Sequence, residues 1–195
     1  MRSRLIAIEG IDQAGKKTQT RLLAMSLRRE KFTVSILSFP VYATASGRLI
    51  QSFLSGRTKP SPQVLHMLYS LNRWEKIEMI TGGLKKTDFV LCNRYTPSNL
   101  AYGAARGLNV DWLSSLDSGL PPPGAVFVLD VPVQRSFSRK IARRDVNEQD
   151  RAFLDKVRRN YRLLARRFGW RLVDGTKPPM EVHEQILMGL RTVFL

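Results

Sequence analysis

The sequence predicts an α/β sandwich, a five-stranded parallel sheet flanked by helices, on three observations. Short apolar runs alternate with stretches of helical periodicity along the whole chain. The first run, Leu5-Ile6-Ala7-Ile8, passes through Gly10-Ile11-Asp12-Gln13-Ala14-Gly15-Lys16-Lys17-Thr18 into a helix, the setting of a G-x-x-x-x-G-K phosphate cradle. The 195 residues hold no repeat, low-complexity tract or linker, so one domain over 1–195 is expected. Strands separated by helices pair in parallel through crossovers, and ligands of such sheets sit at the strands' carboxyl ends.

The strand candidates are Leu5–Glu9, Thr33–Phe39, Asp88–Cys92, Ala125–Val131 and Arg171–Asp174. After the first, Gly10 and Gly15 let the loop curl with its N–H groups inward, and a helix from Thr18 to Arg29 adds its positive end. Lys16 supplies a full charge for the outer phosphates. The strict pattern asks for Ser or Thr next, but Lys17 stands there and Thr18 follows. Pro60-Ser61-Pro62 introduces one long helix, Ser61–Ile80, which Gly82-Gly83 ends. Val64, Leu68 and Leu71 share one side of it, Tyr69 and Arg73 lie opposite, and Trp74 and Ile77 form a third apolar sector, so burial on several sides is expected. Arg73 on such a helix needs a partner, either a ligand or an acid such as Glu78 or a distant one. Leu120-Pro121-Pro122-Pro123-Gly124 is a rigid lead-in to the fourth strand.

Composition narrows the class. A hydrophobic fraction of 43% is ordinary for a soluble protein. Cys92 is the only cysteine, and the first apolar run stops at Glu9, too short for a signal peptide or membrane span; a cytoplasmic protein is expected. The formal net charge of +16 implies anionic partners. Twelve Lys or Arg against four acids fall between Arg139 and Arg171, much of it read as a solvated helix face. No nucleic-acid motif accompanies the charge, so small phosphates are the expected partners. His66 and His183 form no pattern and read as structural or surface residues.

Directly after the third strand comes Asn93-Arg94-Tyr95-Thr96-Pro97-Ser98-Asn99-Leu100-Ala101-Tyr102, which resembles the D-R-Y-x-x-S-x-x-A-Y segment of thymidylate kinases. Glu9-Gly10-Ile11-Asp12-Gln13-Ala14-Gly15-Lys16 is similar to that family's E-G-x-D-x-x-G-K. Phe39-Pro40, Leu68-Tyr69-Ser70-Leu71-Asn72-Arg73-Trp74-Glu75, Gly119-Leu120-Pro121, an arginine-rich segment and Asp174-Gly175-Thr176 follow in the family's order. The resemblance implies a three-layer P-loop kinase fold with a small arginine-rich lid at about 143–150. It also implies transfer of the ATP γ-phosphoryl group to dTMP, Mg²⁺ brought with ATP, and a homodimer that the third helix sector would join.

Residue by residue, the resemblance places Lys16 on the β and γ phosphates and Arg94 on the acceptor phosphate. Arg73 would bond the thymine carbonyl while Tyr69 stacks on the base, unless Tyr69 is plain core. Asn99 would read thymine N3 beside Ser98, which otherwise is a capping hydroxyl. Tyr102 would crowd the sugar 2′ position, and Asp12 would accept from the 3′-hydroxyl or simply form a turn. Phe39 would line the pocket or join the core. With Gln13 in the phosphate loop, the catalytic arginine is expected from the lid, as Arg143 or Arg144. Arg139 would pack on adenine, with Thr176 bordering it.

Two departures fall where the family holds metal: Lys17 replaces Ser or Thr, and Asn93 replaces Asp. A third is Val41-Tyr42 where an arginine often follows Phe-Pro. Lys17 then either substitutes in part for protein-held metal or points to solvent while Thr18 supplies the hydroxyl; alternatively, the chain binds nucleotides and barely catalyses. Competing readings are a kinase for another nucleoside monophosphate or nucleoside, and a nucleotide-binding regulator.

Overall fold

The computed structural model describes residues 3–138 and 145–194, and its five strands form one parallel sheet in the order β2-β3-β1-β4-β5. The strands are β1 Leu5–Glu9, β2 Val34–Ser38, β3 Phe89–Asn93, β4 Ala125–Asp130 and β5 Arg171–Asp174. The first and last match the sequence bounds, β2 and β3 differ by one residue at both ends, and β4 differs by one at its end. All five residues of β1 are fully buried, as a central strand covered on both faces requires. Helices α1 Lys16–Arg29, α2 Ala45–Leu54, α3 Pro62–Trp74, α4 Ile77–Lys86, α5 Thr96–Ala105 and α6 Val110–Ser115 precede β4 or lie before it in the chain. Then come α7 Val133–Ser138, α8 Val146–Gln149, α9 Arg151–Phe168 and α10 Pro179–Phe194.

Pairing of Ile8 with Asn93 sets the carboxyl ends of β1 and β3 side by side. The loops leaving them therefore open one crevice, at the point where the strand order reverses. Helix α1 begins two residues earlier than expected. Its N-cap is Gly15, at φ 97° and with no side-chain cap, so Lys16 and Lys17 belong to the first turn.

The long helix expected over Ser61–Ile80 is two helices, α3 and α4, parted at Glu75-Lys76. Glu75 is drawn out of line by the Ser46 hydroxyl, which donates to it at 2.6 Å, and Trp74 donates to the Leu116 carbonyl. Gly82-Gly83 lies inside α4 and does not end it. A Cβ on Gly83 would meet Val90 Cγ2 at 3.1 Å, so the glycine serves close packing on β3. The side bearing Val64 and Leu71 is also not buried as expected: these residues are 44% and 49% exposed. On α9, Leu154, Val157, Tyr161 and Leu164 face the core, while Lys156, Arg159, Arg162 and Arg166 are exposed, the solvated face the composition suggested.

Candidate active site

The loop after β1 needs its first glycine twice over. Gly10 sits at φ 134°, and a Cβ there would meet the Leu129 carbonyl oxygen at 2.7 Å. Lys16 is buried and donates from Nζ to the Ile11 carbonyl at 2.7 Å, across the loop it closes. Burial, helped by the nearby Arg94 charge, lowers its pKa from 10.5 to about 7. Between those two values the unfolded chain binds more protons than the folded one. Stability of the free protein should therefore rise with pH across that window, by up to about 1.4 kcal/mol per pH unit from this group. An anion bound against Lys16 would favour its ammonium form, so binding of inorganic tripolyphosphate at pH 7.5 should take up a proton. Calorimetry in buffers of different ionisation enthalpy measures this; equal heats in all buffers would contradict it.

Arg94 leaves β3 at φ 66°, a left-handed conformation that a non-glycine residue adopts only when its surroundings impose it. Its guanidinium contacts the Asp12 carboxylate, the Tyr102 hydroxyl at 3.1 Å and the Ser98 hydroxyl at 3.2 Å. Tyr102 in turn donates to Asp12 at 2.8 Å, and its ring lies beneath the Arg94 carbon at 5.1 Å. Burial opposes a charge on Asp12, but Arg94, Lys16 and the Tyr102 hydroxyl outweigh it and hold the carboxyl below its usual value.

Beneath this group lies a residue to which the sequence assigned no role. Glu9 is fully buried at the end of β1 and accepts from the Tyr95 N–H at 2.7 Å, the Ser98 hydroxyl at 2.6 Å and the Tyr161 hydroxyl at 2.9 Å. Burial raises its pKa, and these donors with Arg94 pull the other way. It clamps the chain immediately after the strained arginine turn and ties it to α9 through Tyr161.

Two concavities meet at Arg94. The inner one is lined by Asp12, Phe39, Tyr69, Arg73, Asn99 and Tyr102 among others, aromatic walls with a few convergent polar groups. Arg73 is held by Asp117, through Nε at 3.1 Å and Nη2 at 2.7 Å, with both side chains buried. That is the distant acid the sequence allowed for; among the described contacts, Nη1 remains for a ligand. The Asn99 amide oxygen accepts from His66 Nδ1 at 2.7 Å, and its NH₂ donates to the His66 carbonyl at 3.3 Å. Burial lowers the His66 pKa to about 4, so the ring is neutral. Ser98 is an acceptor-arranging hydroxyl on Glu9 and Arg94, not a helix cap. Phe39 serves both expected roles, being 6% exposed in the core and lining the pocket.

The outer groove runs along Gln13 to Gln19 and past Asn93, Gly175 and Lys177, and shares Asp12, Phe39, Tyr42 and Arg94 with the inner pocket. Thr176 turns its N–H and hydroxyl onto Asp174 at 3.0 and 2.6 Å. The expected lid is described only from Asp145 onward: α8 carries Asn147 at the inner pocket, and Glu148 accepts from Gln13 at 2.9 Å. Arg139, Arg143 and Arg144 lie outside the described residues. The groove does not fit a protein-held divalent ion. Asp12 is the only carboxylate among its described lining residues and is taken by Arg94, while Lys17 occupies the hydroxyl position and Asn93 the acid position.

Several wall residues escaped the sequence reading. His66 gave no pattern because its partner Asn99 is 33 residues away. Tyr42 registered only as a missing arginine, yet it lines both concavities. Asn72 fixes its loop, accepting from Val41 N–H at 2.7 Å and donating to Thr44 at 2.8 Å. It stood inside the quoted helix motif, the one signal available.

The family model described as Thymidylate kinase matches residues 8–186. The thymidylate kinase of Schizosaccharomyces pombe is 34% identical over 191 residues, which is 95% of this chain and 90% of that one. The thymidylate kinase of Homo sapiens is 32% identical over 188 residues, covering 95% and 88%. A solved structure of thymidylate kinase from Candida albicans superimposes with a TM-score of 0.86 at 30% identity, over 98% of this chain and 92% of that one.

Proposed function

The chain belongs to the thymidylate kinase family of ATP-dependent phosphotransferases, and we propose from that premise that it transfers the ATP γ-phosphoryl group to the 5′-phosphate of dTMP. The observation that carries the assignment of roles is the position of Arg94, which lines both the inner pocket and the outer groove. Two polyanions brought together there need positioning and charge neutralisation more than covalent help.

ATP lies in the outer groove, its tail wrapped by the loop 10–15 and met by Lys16, Lys17 and Thr18. dTMP lies in the inner pocket with its base between Tyr69 and the Arg73–Asn99 side, its sugar against Tyr102 and Asp12, and its phosphate on Arg94. The second pKa of such a phosphate is about 6, so near neutral pH the attacking oxygen is already deprotonated and no general base is required. That oxygen forms the new bond to the γ-phosphorus as the bond to the β-bridging oxygen breaks. The departing electron pair stays on ADP, where Lys16 and the loop N–H groups meet the charge. Asp12 keeps the Arg94 fork aimed and remains ionised. Arg143 or Arg144 supplies the lid charge, Arg139 and Thr176 border adenine, and Mg²⁺ arrives on the nucleotide without a protein ligand.

ADP formation from ATP should depend on dTMP in a panel of nucleoside monophosphates. Equal ADP release without an acceptor, or stimulation by DNA, would contradict the assignment. The location is the cytoplasm; among the described residues no helix is long and apolar enough to cross a membrane. A second copy of the chain covers the stripe Val64, Met67 and Leu71 on α3, each 44–49% exposed. The sequence pointed instead to the Trp74–Ile77 sector; both residues are partly buried, and the α3 stripe is the more exposed apolar face. Leu71→Glu should convert a dimer into a monomer in sedimentation; an unchanged mass would remove this face from the interface.

A further inference from the structure

The outer groove is more positive than a metal-bound nucleotide needs. Lys16, Lys17 and Lys177 line it together with Arg94, and Asp12 is paired with Arg94, so three lysine side chains stand without a carboxylate among the described lining residues, Lys16 recovering its full charge once phosphate binds. Lys17 is exposed in the first turn of α1, where free N–H groups already favour anions. Across the groove, Asn93 is neutral. Its Nδ2 reaches only toward the Ser38 hydroxyl at 3.5 Å, and its buried Oδ1 has no hydrogen-bond partner. An aspartate there would cancel Lys17; the asparagine leaves its charge whole.

We propose that Lys17 is a phosphate ligand that lets this chain capture metal-free ATP, so that nucleotide binding does not require a divalent cation. The inference rests on reading the outer groove as the triphosphate site. Free ATP carries about four negative charges and its magnesium complex about two. Three lysines in a shared groove, Lys16 charging as the phosphate arrives, complement the first more fully than the second. A magnesium ion placed against the same groove would face those ammonium groups and gain no carboxylate. Charge-assisted hydrogen bonds to phosphate are strong enough for one lysine to change affinity tenfold or more.

The test is calorimetric ATP binding to the full chain, in excess EDTA and in excess Mg²⁺, for wild type, Lys17→Ser, Lys17→Arg and Asn93→Asp. Wild-type affinity in EDTA should lie within about threefold of that in Mg²⁺. Lys17→Ser should weaken binding in EDTA by about 10- to 100-fold and restore a clear magnesium requirement, Lys17→Arg should retain metal-free binding, and Asn93→Asp should weaken it. Melting curves establish that each variant is folded, and Lys17→Gln replaces any serine variant that is not. A wild-type loss of more than threefold on EDTA, or a loss below tenfold in Lys17→Ser, overturns the proposal. Failure of the kinase assignment would be read separately, as ADP release that does not depend on dTMP.

Discussion

Arg94→Ala should lower kcat/KM for dTMP by about 10³, and Arg94→Lys by about 10². The guanidinium offers a planar fork at the junction of the two concavities, and its other corners are engaged by Asp12, Ser98 and Tyr102. Lysine keeps the charge but loses the fork, so it cannot hold an acceptor phosphate and Asp12 at once. Alanine removes both, and it leaves the depressed Asp12 carboxylate facing a second anion. The loss should be shared between kcat and KM, because Arg94 holds the acceptor phosphate both on binding and in the in-line geometry of transfer. Steady-state kinetics with dTMP varied at saturating ATP provides the check, with melting curves to exclude unfolding. Activity within threefold of wild type in Arg94→Ala would remove Arg94 from the reaction.

The second large effect concerns Glu9. Glu9→Ala strands the Tyr95 N–H and the Ser98 and Tyr161 hydroxyls, each a buried donor that then lacks its acceptor. At about 1–3 kcal/mol for each unsatisfied group, partly offset by relief of a buried charge, the loss should be roughly 2–4 kcal/mol. For a chain of this length that lowers the melting temperature by roughly 5–15 °C. Glu9→Gln separates positioning from stability. It keeps one acceptor oxygen, so the fold should survive, but the clamp on the Arg94 turn slackens and kcat should fall more than KM rises. Because Glu9 titrates above the usual carboxylate range, lowering the pH through its raised pKa weakens the clamp in the wild type. The acid limb of the wild-type kcat profile should flatten in Glu9→Gln; an unchanged limb would confine Glu9 to a structural role.

Local signals made the frame legible. A continuous apolar run marked β1 to the residue, the short Leu172-Val173 pair was enough to bound β5, and the Gly10-to-Lys16 spacing located the phosphate loop, because turn geometry and charge are written in neighbouring residues. What misled was punctuation whose purpose lies elsewhere in the fold. Gly82-Gly83 reads as a helix end, yet Gly83 is there for contact with Val90. Leu71 reads as core by periodicity, yet it is 49% exposed. The site divides the same way. Lys16, Arg94, Asp12 and Tyr102, all singled out in the sequence, stand close together, whereas the partners of other site residues are remote in sequence: Asp117 for Arg73, His66 for Asn99 and Tyr161 for Glu9. A single sequence carries no term for such pairs, so Arg73 stayed open between ligand and salt bridge and turns out to be already in the bridge. Burial of Glu9 beside a polar loop was equally invisible, since a lone glutamate ending a strand reads as solvent-exposed.

The most direct measurement is a crystal structure of the chain bound to an adenosine–thymidine bisubstrate, two nucleosides joined through a shared polyphosphate. Both nucleosides should be seated at once, adenosine's phosphates along the loop 10–15 and thymidine in the inner pocket, with the Arg94 guanidinium within about 3.5 Å of the thymidine-side phosphate. Thymidine lodged elsewhere, or Arg94 still closed on Asp12 and out of reach of that phosphate, would contradict the account.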